Sequence, residues 1–176
     1  MRDDSKENVE RMITGAARKR LLLACEAYRE LTTPRQKTTA IQAMMELLDQ
    51  MVMEDKRKEL LQSCGRRCIS AGILNKVIRL QNKAANLDDL LNLLNEEHIG
   101  GGHLSRTGDI IHAEYHRCYC GSVSKTETRF SPTYCQCSCG WYRHLFETIL
   151  KGPVRVELLG SIIQGDSHCL FRIHLR

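Results

Sequence analysis

The chain has 176 residues, 42% hydrophobic and 27% charged, with a formal net charge of +5. That length buries a core as one domain, or as a domain with a helical extension. No run approaches the roughly 18 apolar residues of a membrane span, and the charged start "MRDDSKENVERM" lacks the apolar segment of a secretory signal. The expected address is therefore the cytoplasm, where cysteines are metal ligands or redox groups more often than disulfides. The excess charge marks no nucleic-acid surface: "ARKR" and "DKRK" are short, lie in helical patterns beside acidic residues, and read as solvated helix faces.

Residues 1–99 read as a helical region. Val9, Met12, Ile13, Ala16, Ala17, Ala24, Tyr28 and Leu31 predict a helix from about Asn8 to Leu31. Thr33 is a cap and Pro34 a first helical position for a second helix, whose stripe is Ile41, Met44, Met45, Leu48, Met51 and Val52. A shorter helix is predicted over about Asp55 to Cys64, stopped by Gly65, and another over about Arg67 to Leu80. Asn86 caps a fifth, with Asp88 and Asp89 at its positive end and Gly100 to Gly102 as its stop.

Residues 100–176 change period, and of the chain's nine aromatic residues all but Tyr28 lie there. "HLSRTGDIIHAEYH" predicts a hairpin turning at Thr107-Gly108, with Ile111, Ala113 and Tyr115 on one face and His112, Glu114 and His116 on the other. A helix "WYRHLFETIL" follows, led by Gly140. A second hairpin then turns between Gln164 and Ser167, with Cys169, Phe171, Ile173 and Leu175 on its core face. The fold class is α+β: helices, then a cysteine-rich β-β-α-β-β antiparallel unit.

Five of the nine cysteines fall in "CYCGSVSKTETRFSPTYCQCSCGW". Cys118/Cys120 and Cys135/Cys137 form two C-x-C pairs, and in extended chain residues i and i+2 point the same way, so each pair offers two sulfurs to one ion. Four thiolates suit tetrahedral zinc; an iron–sulfur cluster takes the same four ligands; plain buried or reactive thiols are the third reading. Cys139 is a fifth candidate, expected at the start of the helix, where the helix dipole lowers a thiol pKa. Cys64 and Cys68 in "CGRRC" either are half-buried helix-end residues or reach the metal or a pocket beside it. Cys25 reads as core. His112 and His116 are ligands or a polar strand face. A pocket between the helical region and the β unit is expected to draw on Tyr142, Phe146 and Phe171, which are otherwise core. No nucleophile elbow, phosphate-binding loop or dinucleotide fingerprint is present.

The ending "GWYRHLFETILKGPVRVELLGSIIQGDSHCLFRI" resembles the 4-vinyl reductase domain family. The shared features are Gly140 leading a helix, Gly152-Pro153-Val154 with Glu157, and Gly165-Asp166 with Cys169 and Phe171. The resemblance implies an α+β fold in which sheet and helices enclose a small molecule, and some members bind zinc. Their metal-binding glutamate and cysteine correspond here to Leu158 and Ser161, so only Cys169 carries over. Over its whole length, with "KELLQSCGRRC", "HIGGGHL" and "TYCQCSCGW", the chain looks like an uncharacterised family of bacterial cysteine-rich proteins. Some relatives of that kind carry a label borrowed from L-2-amino-thiazoline-4-carboxylate hydrolase. The resulting expectation is a zinc protein that binds or senses a small molecule. The alternatives are a metal-dependent hydrolase of a small thiazoline- or amide-like substrate and a zinc-stabilised interaction module.

Overall fold

The structure is a computed structural model that describes Glu10, residues 12–121, Val123 and residues 130–175. Its helices are α1 (Gly15–Arg29), α2 (Pro34–Met51), α3 (Glu54–Cys68), α4 (Ala71–Gln81), α5 (Leu87–Glu96) and α6 (Gln136–Leu150). Its strands are β1 (Leu104–Thr107), β2 (Ile110–Tyr115), β3 (Arg155–Gly160) and β4 (Cys169–His174), in one antiparallel sheet of order β1-β2-β4-β3. The two hairpins thus join through β2 and β4. None of the described helices is long and apolar enough to cross a membrane.

Local chemistry explains most boundaries. The Thr33 side chain accepts from the Gln36 N–H, and the Gln36 side chain reaches back to the Thr33 N–H, so Thr33-Pro34 opens α2 as predicted. Asn86 likewise accepts from the Asp89 N–H and opens α5. Ser70 caps α4, which starts several residues later than the predicted Arg67.

The predicted first helix is broken rather than continuous: Glu10 and Met12 are helical, Ile13 and Thr14 are not, and α1 follows from Gly15, which takes φ +66°; Asn8 and Val9 lie outside the described residues. α5 ends at Glu96, before the glycines, where His98 turns left-handed. Pairing of Thr107 with Ile110 makes Gly108-Asp109 the loop of the first hairpin, one residue beyond the expected turn, with Gly108 supplying the positive φ.

Two larger corrections concern glycines. α3 does not stop at Gly65 but runs through it to Cys68, and α6 starts at Gln136, four positions before Gly140. Both glycines lie where α3 and α6 cross. A Cβ on Gly65 would sit 1.8 Å from the Cys137 carbonyl oxygen, and one on Gly140 would sit 1.9 Å from that of Gln62. Here glycine serves close helix approach, not termination. Polar contacts fix the crossing: the Gln62 side-chain amide donates to Gln136 at 2.9 Å, Arg66 pairs with Glu147 at 2.7 Å, and the His144 ring lies 2.6 Å from the Arg66 carbonyl.

Burial divides into two clusters. One joins α1, α2 and α3 with Val123, Phe130, Cys135 and Ile163. The other joins α4, α5 and α6 to the inner face of the sheet, with Tyr142, Phe146, Phe171, Leu94 and Ile111 at its centre. Helices from residues 1–99 and the sheet from residues 100–176 share this second cluster. Asn95 ties α5 to the edge strand, its amide donating to the Leu104 carbonyl at 2.8 Å while its oxygen accepts from the Leu104 N–H at 2.7 Å.

Candidate functional site

Along the seam between the two clusters lies a cavity of about 760 Å³. Its wall comes from the end of α3 (Cys68), the first turns of α4 (Ile73, Lys76), the 97–101 turn, the end of β2 (Tyr115), the segment Cys118–Cys120, the start of α6 (Tyr134 to Trp141) and the head of β4 (Cys169). Six of the nine cysteines line it: Cys68, Cys118, Cys120, Cys135, Cys137 and Cys169.

The sheet explains part of this. Tyr115 and Cys169 are directly paired, so both side chains leave the same face. A register shift between Leu158 and Gly160 bends β3 at its end, and the next residue, Ser161, is turned inward and is 3% exposed. Its hydroxyl donates to the Cys135 sulfur at 3.1 Å, and the Ile162 N–H donates to the Cys169 sulfur at 3.4 Å. The Cys135 thiol in turn donates to Cys169. That hydrogen bond, together with those from Ile162 and Ser161, outweighs burial and lowers Cys169 from 9.0 to about 7. Cys135, as the donor and in a buried place, is pushed strongly upward.

At the other side, the Cys120 sulfur and the Tyr134 hydroxyl are 3.1 Å apart. Burial raises Tyr134, and it raises Cys137, to which the nearby Cys120 and Cys68 add. Burial also raises Cys118. The site therefore holds three thiols kept protonated, Cys118 and Cys137 by burial and Cys135 by its hydrogen bond to Cys169 and by burial, and one, Cys169, poised to ionise.

All four cysteines of the predicted pairs reach the cavity, but not by the predicted geometry. Because α6 starts at Gln136, Cys135 is its cap and Cys137 is helical, so the second pair is not extended chain. Residues two apart on a helix point about 200° apart. Among the described residues, no three cysteine sulfurs lie within 4.8 Å of one another.

Cys139 is not at the helix start either. It sits a turn inside, is 1% exposed, and burial pushes it up to about 12 rather than down. Of the "CGRRC" thiols Cys68 lines the cavity, and Cys64 is not among its lining residues. Cys25 is core, as predicted.

The aromatic wall differs from the expected one. Tyr142, Phe146 and Phe171 are fully buried in the second cluster and do not line the cavity. They back it instead: Tyr115 stacks on Tyr142 at 5.5 Å and meets Phe171 edge-on at 5.3 Å. The lining rings are Tyr115, Tyr119, Tyr134 and Trp141. Sequence reasoning missed these as wall residues, although each sits within three positions of a singled-out cysteine or core ring. The Tyr142 hydroxyl donates to the Gly100 carbonyl at 3.0 Å and holds the glycine turn against the cavity.

No curated protein matches this sequence. Among solved structures, the chain is similar to the crystal structure of the phenol-responsive sensory domain of the transcription activator PoxR with phenol. The identity is 15%, the TM-score is 0.39, and the match covers 78% of this chain and 73% of that one. The model of a family of unknown function, DUF6144, matches residues 17–176, and the chain belongs to that family.

Proposed function

We propose that this is a cytoplasmic protein that binds a small molecule in the thiol-lined cavity, beside a soft metal ion, zinc, held by cavity sulfurs. One observation carries the reading: thiols from four separate segments converge with four aromatic rings on one cavity. Its volume of about 760 Å³ suits a small organic ligand. The four-stranded antiparallel sheet packed under α6 supports the 4-vinyl-reductase-like reading of residues 100–176, in which sheet and helices enclose a ligand.

The donor chemistry fits a soft ion. Cys118, Cys120, Cys135 and Cys137 all line the cavity, and Cys169 touches Cys135 and joins the set. Zinc takes four ligands, so a cavity with six sulfurs keeps spare thiols beside any bound molecule. Ion binding would draw the sulfurs together by side-chain rotation, with loss of the Cys135–Cys169 hydrogen bond.

The test has two parts. Metal analysis of untagged protein purified without added metal should give about one zinc per chain. A thermal-shift screen of small aromatic and amino-acid-derived compounds should give stabilising hits that fail when Tyr119 and Trp141 are replaced by Ala. Metal-free protein that takes up no zinc would remove the metal from the reading. A screen without a hit would remove the ligand.

A further inference from the structure

On the opposite face of the sheet from the thiol cavity, we propose a second metal site, formed by Glu114, His116 and His168, which takes a borderline divalent cation of the zinc or cobalt class. The register builds it. Glu114 pairs with Leu170 and Tyr115 with Cys169, so continuing by one residue sets His116 opposite His168. Residues i and i+2 of a strand share a face, which places Glu114 beside both histidines. Tyr115 and Cys169, the intervening residues, point the other way into the cavity.

The ligand atoms already converge. The Glu114 carboxylate oxygen Oε1 lies 3.2 Å from His116 Nε2 and 3.5 Å from His168 Nδ1. One donor atom from each of the three residues lies within 4.8 Å of the other two. Atoms bound about 2.0–2.1 Å from one tetrahedral ion are about 3.3 Å apart. Both Glu114 contacts already have that spacing, and the two imidazole nitrogens, within 4.8 Å of each other, need to close by no more than about 1.5 Å. His103 stacks on His116 with ring centroids 3.9 Å apart, and His116 meets the His168 ring at 4.6 Å, which orients both imidazoles. The Ser167 hydroxyl lies 3.0 Å from His168 Nδ1 and gives up that contact when the nitrogen ligates.

Two imidazoles and a carboxylate favour borderline metals over calcium or magnesium. Three protein ligands on a half-exposed strand face leave at least one position open to water or an added ligand. A cation here would join β2 to β4 one residue away from Cys169, so the site abuts the cavity without using its thiols.

Cobalt(II) titration of the intact chain, followed by electronic absorption, tests this and separates it from the thiol site. Nitrogen and oxygen ligands give only weak d–d bands, whereas thiolates add an intense near-ultraviolet charge-transfer band. The expected result is a nitrogen/oxygen class that saturates at one ion. His116→Ala, His168→Ala and Glu114→Gln should each weaken that class by at least tenfold, whereas His112→Ala, on the same strand face, should leave it unchanged. The three side chains are at least one-third exposed, so the variants should keep the wild-type circular dichroism. A nitrogen/oxygen class that is missing, or that survives unchanged in the His116→Ala/His168→Ala double variant, would overturn the site. Loss of the charge-transfer class alone would instead count against the thiol-bound metal.

Discussion

Gly65 in α3 lies so close to Cys137 in α6 that a Cβ at position 65 would fall 1.8 Å from the Cys137 carbonyl oxygen. The reciprocal contact, Gly140 against Gln62, repeats this one turn along. The pair sets the distance between the helices, and with it brings Cys68 to the same cavity as Cys135 and Cys137. Gly65→Ala and Gly140→Ala should each destabilise the protein by about 1–3 kcal/mol or more, because backbone atoms cannot yield as a side chain can. Gly72→Ala in α4, whose Cβ would meet only the Ser70 hydroxyl at 3.8 Å, should be neutral or stabilise by about 0.5–1 kcal/mol. Urea unfolding of the three variants checks this. Equal stabilities would show that the helices are free to separate.

The same two glycines show where the sequence was and was not legible. Caps with a local hydrogen-bond rule, Thr33-Pro34 and Asn86, were readable, and so were both hairpins, whose alternation is a local signal. Gly65 and Gly140 were misread as helix boundaries because a glycine required for close packing and one that ends a helix look alike in one dimension. The error had consequences: starting α6 at Gly140 put Cys137 in extended chain and Cys139 at a helix end, and neither is there. Spacing grouped Cys118, Cys120, Cys135 and Cys137, which all line one cavity, but it did not reveal the helical setting of Cys137. The pairing of His168 with Glu114 was not, because it depends on β2 meeting β4 across more than fifty residues of chain.

Tyr142→Phe removes the hydroxyl that donates to the buried Gly100 carbonyl. The carbonyl then lacks its partner, at a cost of roughly 1–2 kcal/mol. The lost anchor should also loosen the 97–101 turn on the cavity rim. Thermal unfolding should show the loss, and hydrogen exchange at residues 99–102 should speed up while the α3/α6 amides keep their protection.

Cys169 should be the thiol in the metal-free protein whose alkylation levels off earliest as pH rises. The thiolate is the nucleophile, and a lowered pKa means the reactive form appears at lower pH. Its rate should rise to a midpoint at about 7 and then plateau. Cys139 has its midpoint at about 12, and Cys118 and Cys137 lie above the ordinary thiol value of 9.0, so all three should still be climbing where Cys169 is flat. Cys135→Ala removes the leading hydrogen bond to Cys169 and should move its midpoint up toward 9.0. Residue-resolved mass spectrometry after brief exposure to iodoacetamide reads all four rates.

X-ray absorption at the zinc edge, on the His116→Ala/His168→Ala variant loaded with one equivalent of zinc, tests the cavity most directly. With the outer-face ligands removed, the cavity thiols should give a shell of sulfurs about 2.3 Å from the ion. A shell made only of nitrogen or oxygen near 2.0–2.1 Å, or zinc lost on desalting, would contradict it.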